Sequence, residues 1–534
     1  MKGLFTLILL AAVTLAVYAR TLDYPFAYDD IHTIVKNVQV RSLSNIPRFF
    51  IGPGMEGRED KTGSYRPLLF STYALNYAIS GERPWSYRAF QILLHILNSF
   101  LIYLLARALL GEKDSWLPSA AALVFCLHPV QTETVIYPAA RSTLLVSCLL
   151  LASFYFYIKF KEGHGKKWLG LFLVTYALAL LTKETAPALL PLFIFLEFYY
   201  RKKRGVAYSR ALIITAALLT AVYMAARFSF IAESGSLRND GGFMDHWLGY
   251  TAVLPSYLRL LFLPASQSVE YPVPDIISPS TVAGGAALLL LFLAVIILLL
   301  KRGKHLPAAL LLLAGLPLLP EFVFPVYDLI VEYRLYLTVG AMCLLGAVLM
   351  EGWNKTKSVP FKAAMAAIAT AFFLLSSFRA GVWASGKTLW GNAAAKYPNL
   401  ARPHNNLGTY YAERKQFGKA RGEFEKAVLL KPDYADAYID LGNIYAEEGN
   451  YADAEAMLQK GISLNPEDFD SYFNLGLLYL KEGDEAGAFK TYVEMDKRFP
   501  DRNVLPNAAR LSAAFKRERL SQALIREYQA RSAP

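Results

Sequence analysis

Long apolar runs, separated by short polar breaks, fill the first 380 residues of this 534-residue chain. The hydrocarbon core of a bilayer takes roughly 20 apolar residues per helical span. Runs of that length or close to it lie near 3–19, 85–110, 117–137, 140–160, 167–182, 186–200, 211–228, 281–300, 306–324, 335–351 and 360–380, about eleven spans by that criterion. Backbone crossing lipid must satisfy its own hydrogen bonds, and runs without period-2 alternation select helices over barrel strands. The expected fold is therefore all-α, a polytopic helix bundle over residues 1–384. From about residue 385 the composition turns charged and helical, as in a soluble segment.

The net charge of +12 does not point to nucleic acid. Much of it sits in clusters between apolar runs: Lys159, Lys161, Lys166 and Lys167; Arg201, Lys202, Lys203 and Arg204; Lys301, Arg302 and Lys304; Lys355 and Lys357. Such clusters mark the cytoplasmic side, and all of them fall there if the N-terminus is cytoplasmic. Lys2, the run Leu4–Val17 and Val17-Tyr18-Ala19 also fit a cleavable leader, but the topology favours an uncleaved first span. The stretch 247–263 contains Pro255 and Arg259 and reads as a re-entrant or surface-lying element on the outer face. The odd span count then places everything after residue 380 outside. Cys126, Cys148 and Cys343 lie in apolar runs and fit neither a disulfide framework nor a metal spacing.

With that topology, ionisable residues gather on the outer face. The loop 20–84 carries Asp29 and Asp30 in an aromatic segment, Tyr24 to Asp30, and then Tyr65-Arg66-Pro67-Leu68. His128, Glu133 and Arg141 follow outside between the third and fourth spans, then Lys183-Glu184 after the fifth, then Glu332-Tyr333-Arg334 at the outer end of the tenth. Ionisable residues at membrane depth are costly and mark functional sites by default. Each also has a bland reading: His128-Pro129 as a turn, Arg141 as a snorkelling residue, Lys183-Glu184 as a local pair, Glu332 and Arg334 as an anchoring pair.

The soluble part repeats with a period of 34. Leu407-Gly408 with Tyr411, Leu441-Gly442 with Tyr445, and Leu475-Gly476 with Tyr479 are in register, as are Ala420, Ala454 and Ala488, then Phe424, Leu458 and Tyr492, then Pro432, Pro466 and Pro500. This is the tetratricopeptide pattern of helix pairs. It gives three repeats over 401–502, a partial repeat or connector helix over 385–400 carrying Trp390, Ala393 and Pro398, and a charged capping helix over 503–534.

The order of Phe26-Ala27-Tyr28-Asp29-Asp30, Tyr65–Leu68, His128–Val135, Lys183-Glu184, Glu332–Leu337 and the repeats resembles the transmembrane and tetratricopeptide-repeat-containing O-mannosyltransferases and their bacterial relatives, of the GT-C glycosyltransferase superfamily. The resemblance implies a GT-C-like enzyme that moves a mannose-like hexose, with inversion, from a polyprenyl-phosphate carrier to an acceptor hydroxyl on the extracytoplasmic face. It implies Asp29 or Asp30 as general base, Arg141, Lys183, Arg334 and Arg66 as cations for the donor phosphate, and His128, Glu133, Glu184, Glu332 and Tyr333 as residues shaping the sugar or acceptor site. No cofactor is expected, and a divalent metal is not favoured. The expected partners are the lipid-linked donor, the bilayer and a protein or peptide held by the repeats; the expected location is a bacterial inner membrane with the repeats in the periplasm. Two features depart from the family. Arg141-Ser142-Thr143 lacks the acid that animal members place after the arginine, and the repeat array is short. The competing reading is a non-catalytic membrane anchor presenting a scaffold for envelope assembly. A transporter is disfavoured, because no broken-helix repeat is visible.

Overall fold

The computed structural model describes the chain apart from residues 1, 52–64, 112–114, 205–208, 235–242, 274–276, 324–327, 352, 354–355, 357 and 533–534. The basic residues at 355 and 357, and the side chains of 202–204, therefore lie outside the described residues. The architecture is all-helical, with no strand among the described residues. It divides into two compact units, Met1–Ser385 and Gly386–Pro534.

Among the described residues of the first unit, eight helices are long and apolar enough to cross a bilayer: Lys2–Thr21, Trp85–Leu109, Pro138–Lys161, Arg210–Ser229, Pro279–Lys301, His305–Phe322, Glu332–Met350 and Val359–Val382. This makes the chain an integral membrane protein. Trp85–Leu109, Pro138–Lys161 and Glu332–Met350 are mostly buried, whereas Pro279–Lys301 and Val359–Val382 are almost wholly uncovered. The uncovered helices present leucines such as Leu290, Leu291 and Leu374 outward, as a lipid-facing surface requires. Leu117–Leu127 and Lys167–Leu180 are shorter apolar helices.

Two expected spans differ from a plain crossing. The run 117–137 is broken. Helix Leu117–Leu127 stops at His128, which is extended at φ −62°, ψ 124°, and a separate short helix, Gln131–Ile136, follows. Pro129 is the cause, since proline pushes the residue before it out of the helical region. The run 186–200 begins as a 3₁₀ turn, Pro187–Leu189, before helix Leu190–Arg204. The stretch 247–263 lies in one continuous helix, Phe243–Phe262, with Pro255 inside it.

The second unit stacks helix pairs: Ala401–Ala412 with Phe417–Leu430, Ala435–Glu447 with Tyr451–Leu464, and Phe469–Glu482 with Glu485–Arg498. Gly386–Lys396 precedes them. The single capping helix expected over 503–534 is instead two, Val504–Ala514 and Glu518–Ser532, separated by a turn at Lys516 with φ +58°. The glycine of each repeat marks a close approach. A Cβ at Gly408 would lie 2.6 Å from Phe424, at Gly442 2.8 Å from Leu458, and at Gly476 2.5 Å from Tyr492. The three partners are the large residues of the following helix, so the 34-residue register is a packing register. Gly476→Val therefore overfills the third pair and costs about 1–3 kcal/mol. The measurement is amide hydrogen exchange, which rises over Phe469–Arg498 and leaves the membrane unit unchanged.

Candidate active site

The aspartate pair is split by its surroundings. Asp30 is fully buried. Its Oδ1 accepts from the Ala139 N–H at 2.8 Å and its Oδ2 from the Ala27 N–H at 3.1 Å. Burial pushes its carboxyl up to about 7, against the pull of Arg88 and of the two backbone N–H groups. Asp30 thus clamps the loop after the first span onto the turn that opens Pro138–Lys161. Asp29 is half-exposed, and its N–H donates to the Tyr137 hydroxyl at 3.0 Å. Before it, Tyr28 holds a left-handed backbone at φ +54°. That conformation costs a bulky residue about 1–2 kcal/mol and persists only where the surroundings fix it. Here the Tyr28 hydroxyl donates to Asp328 at 3.2 Å, its ring stacks on Tyr137, and Tyr137 packs on Trp383.

Arg88, which the sequence reading passed over, secures the same loop. Its Nη2 donates to the Pro25 carbonyl at 2.6 Å and its Nη1 to the Ile136 carbonyl at 2.7 Å. Next on that face, Gln91 Nε2 donates to the carbonyls of Thr134, Val135 and Tyr137. His95 bonds the Cys126 carbonyl and the Tyr336 hydroxyl, and Asn98 the Leu144 carbonyl and the same hydroxyl. The signal was legible: Arg88, Gln91, His95 and Asn98 recur at helical spacing inside one apolar run.

A second centre gathers cations. Arg66 makes a two-point pair with Glu184, at 2.7 and 3.2 Å, and Arg227 lies 3.5 Å from the same carboxylate. Despite burial, these cations hold the Glu184 carboxyl well below its ordinary range. Lys183 Nζ donates to Thr143 at 2.8 Å and lies 5.2 Å from the Tyr333 ring centre. Burial draws Lys183 down to about 8, although Glu184 and Glu321 favour its charge. Arg334 pairs with Glu321 at 3.2 Å and donates to the carbonyls of Asp328 and Leu329. Lys183, Arg334, Glu321, Thr143, Ser147 and Thr185 line a cavity of about 20 Å³, room for about one water. The hydroxyls of Ser147 and Thr185 are buried there without a protein partner. Among the described residues, the cations Arg66, Lys183, Arg227 and Arg334 stand around the carboxylates Glu184 and Glu321. Tyr333, next to Glu332 in the chain, is the ring that faces the Lys183 ammonium.

Other expected site residues are committed to the fold. Glu332 is fully buried and accepts from Gln267, the Ser268 N–H, Tyr271 and Arg379. It is a structural hub. Glu133 lies beside it; burial first, then Glu332, push the Glu133 carboxyl up to about 8. Two expectations are corrected. Arg141 is sealed, with its donors on Gln91, Thr72 and the Tyr87 carbonyl and its guanidinium against Tyr73, Tyr87 and Phe90, so it is not open to a phosphate. His128 does not reach the charged centres. Its Nε2 meets the Leu261 carbonyl at 3.0 Å, its Nδ1 accepts from the Val130 N–H, and its ring packs on Phe372 beside an apolar groove. Among the described residues no group of three His, Cys, Asp or Glu side chains forms a metal set.

Residues 66–228 match the family model described as dolichyl-phosphate-mannose-protein mannosyltransferase, and residues 411–476 match a tetratricopeptide-repeat model. The protein O-mannosyl-transferase F38B6.6 of Caenorhabditis elegans is 26% identical over 451 residues, covering 81% of this chain and 64% of that protein. The chain is a relative of the protein O-mannosyl-transferases. Among these O-mannosyl-transferases, TMTC3 of Mus musculus is 27% identical over 477 residues, covering 80% of this chain and 51% of that protein. The chain thus spans between half and two thirds of the length of these two relatives. The resemblance expected from the motifs is borne out. A crystal structure of ArnT from Cupriavidus metallidurans bound to undecaprenyl phosphate aligns over 88% of this chain and 80% of that one, at 13% identity and a TM-score of 0.39, too low to carry an argument.

The Asp30 clamp has a pH signature. A carboxyl raised from 3.8 to about 7 in the fold holds its proton more tightly folded than unfolded. Its contribution is fully present below about 4 and is lost as pH rises to about 7. Thermal unfolding of the detergent-solubilised protein is expected to show this decline, and Asp30→Asn to flatten it.

Proposed function

We propose that the chain is a membrane glycosyltransferase with Asp29 as its general base. The observation that carries this reading is the half-exposed Asp29, held beside the left-handed Tyr28 backbone and bonded through its N–H to Tyr137, in the same unit as the buried cations Lys183 and Arg334. The acceptor hydroxyl oxygen attacks the anomeric carbon and its proton passes to Asp29. The bond from that carbon to the lipid phosphate breaks, and the phosphate leaves with the electron pair. A single displacement inverts the anomeric centre. The departing phosphate gains charge, which Lys183, Arg66 and Arg334 are placed to meet. The names of the matched family and relatives support a lipid-phosphate sugar donor and a protein acceptor. Mannose is the sugar those names favour. The repeats, a fold that binds other chains, hold the acceptor.

The two aspartates differ in role on this reading. Asp29 has the exposure to receive a proton, whereas both Asp30 oxygens are occupied by backbone N–H groups. With labelled polyprenyl-phosphate sugar in membranes, Asp29→Asn is expected to lower transfer by about 10²–10⁴-fold, and Asp30→Asn by much less. Equal activity of Asp29→Asn and the unaltered protein overturns the assignment. Absence of transfer from any such donor favours the scaffold reading.

Lys183 supplies a second test. Its ammonium loses its proton as pH rises through about 8, so the KM for the donor is expected to climb above that pH. Lys183→Arg, charged at all working pH values, moves the climb upward.

We also propose that this centre faces the extracytoplasmic side. Its side chains come from alternating ends of successive helices: the segment after Lys2–Thr21, the start of Trp85–Leu109, the start of Pro138–Lys161, the end of Arg210–Ser229, the end of His305–Phe322, the start of Glu332–Met350 and the end of Val359–Val382. Helices crossing in alternating directions bring those ends to one face, opposite the lysine and arginine clusters. The host membrane on this reading is a bacterial inner membrane, with the repeats in the periplasm.

A further inference from the structure

The repeat unit has a polar centre that its packing does not require. The residue before each Leu-Gly pair is Asn406, Asp440 or Asn474, half-buried in each case. Asp440, on helix Ala435–Glu447, accepts from Asn405 Nδ2 at 3.0 Å and from the Thr409 hydroxyl at 3.5 Å, both on helix Ala401–Ala412. Asp436, one turn earlier and exposed, repels it. No lysine or arginine compensates Asp440 among the described residues; burial, opposed by its two donors and aided by Asp436, raises its carboxyl to about 7. Lys431 acts on Asp436 against Asp468.

Asn405 adds an independent sign. It is 5% exposed, and its Oδ1 has no hydrogen-bond partner. The bond from Nδ2 to Asp440 fixes which end of the amide is oxygen, so the orphan atom is an acceptor beside the carboxylate. A buried acceptor left unpaired costs about 1–3 kcal/mol, and such a group in a native fold calls for an explanation. A carboxylate without a cation and an acceptor without a donor ask for the same kind of ligand. It must be positively charged and rich in N–H groups. An extended peptide with a lysine or arginine side chain supplies both, and an anionic ligand is excluded by sign.

We propose that the seam between helices Ala401–Ala412 and Ala435–Glu447 binds an extended peptide bearing lysine or arginine, its cation on Asp440 and Asp436 and a backbone N–H on Asn405. In identifying this peptide with the region around the acceptor hydroxyl, the inference rests on the transferase reading above; the binding itself does not.

The test uses the full chain in zwitterionic nanodiscs and the fluorescence anisotropy of a labelled Gly-Lys-Ser repeat peptide, with Gly-Gln-Ser and Gly-Glu-Ser peptides as counterparts. The lysine peptide is expected to bind about tenfold or more tightly than either counterpart. Asp440→Asn, which keeps the size of the side chain, and Asp436→Asn are each expected to weaken it by about tenfold, as is Asn405→Ala, with the thermal unfolding of the repeats checked for each. Equal binding of the glutamine peptide, or undiminished binding by the Asp436→Asn, Asp440→Asn double variant, overturns the proposal. Failure to bind while sugar transfer persists sinks this inference alone. Binding without transfer from any lipid-linked sugar sinks the transferase reading and leaves this one standing.

Discussion

The membrane unit depends on one solution to a backbone problem. Between His128 and Ala140 the chain is broken into turns around the six-residue helix Gln131–Ile136, and the carbonyls at the end of so short a helix need donors that lipid does not provide. Gln91 and Arg88 supply them to Thr134, Val135, Ile136 and Tyr137. His95 does the same for Cys126. This row of side chains turns a broken helix into a rigid shelf. On that shelf rest Tyr137, which accepts from the Asp29 N–H, and Ala139, which donates to Asp30. Without the shelf, the loop carrying the aspartates has nothing to be held against.

The charged centres follow the same logic. Two buried charges that belong to the fold are well partnered: Glu332 by Gln267, Ser268, Tyr271 and Arg379, and Arg141 by carbonyl, hydroxyl, amide and aromatic groups. The cluster around Lys183 is different. Its cavity, lined by Lys183, Arg334 and Glu321, holds the buried hydroxyls of Ser147 and Thr185 without protein partners. Buried polar groups are normally hydrogen-bonded. Orphaned hydroxyls beside buried cations are therefore a stronger mark of a ligand site than burial or an unusual residue type.

The helical class and the repeats were legible because they rest on periodicity and composition. The 34-residue register carried its own physical explanation, and Gly408, Gly442 and Gly476 fell where Phe424, Leu458 and Tyr492 need room. The roles of individual charges were not legible. Arg141 and Lys183 look alike in sequence, each a cation at the edge of an apolar run. Only tertiary contacts reveal that the first is spent on protein groups while the second faces a cavity. Arg88 was missed for the converse reason: one arginine near a span end reads as a snorkelling residue until its polar neighbours on the same face are counted with it.

The Asp30 clamp also fixes an order of events during synthesis. Its acceptor atoms lie 109 residues before the Ala139 N–H along the chain. The clamp therefore cannot close until the segment opening at Pro138 has been synthesised. Arg88, made in the interval, has its Pro25 partner available before its second partner, Ile136. The loop that carries the aspartates thus acquires its final contacts from chain that follows it on the ribosome.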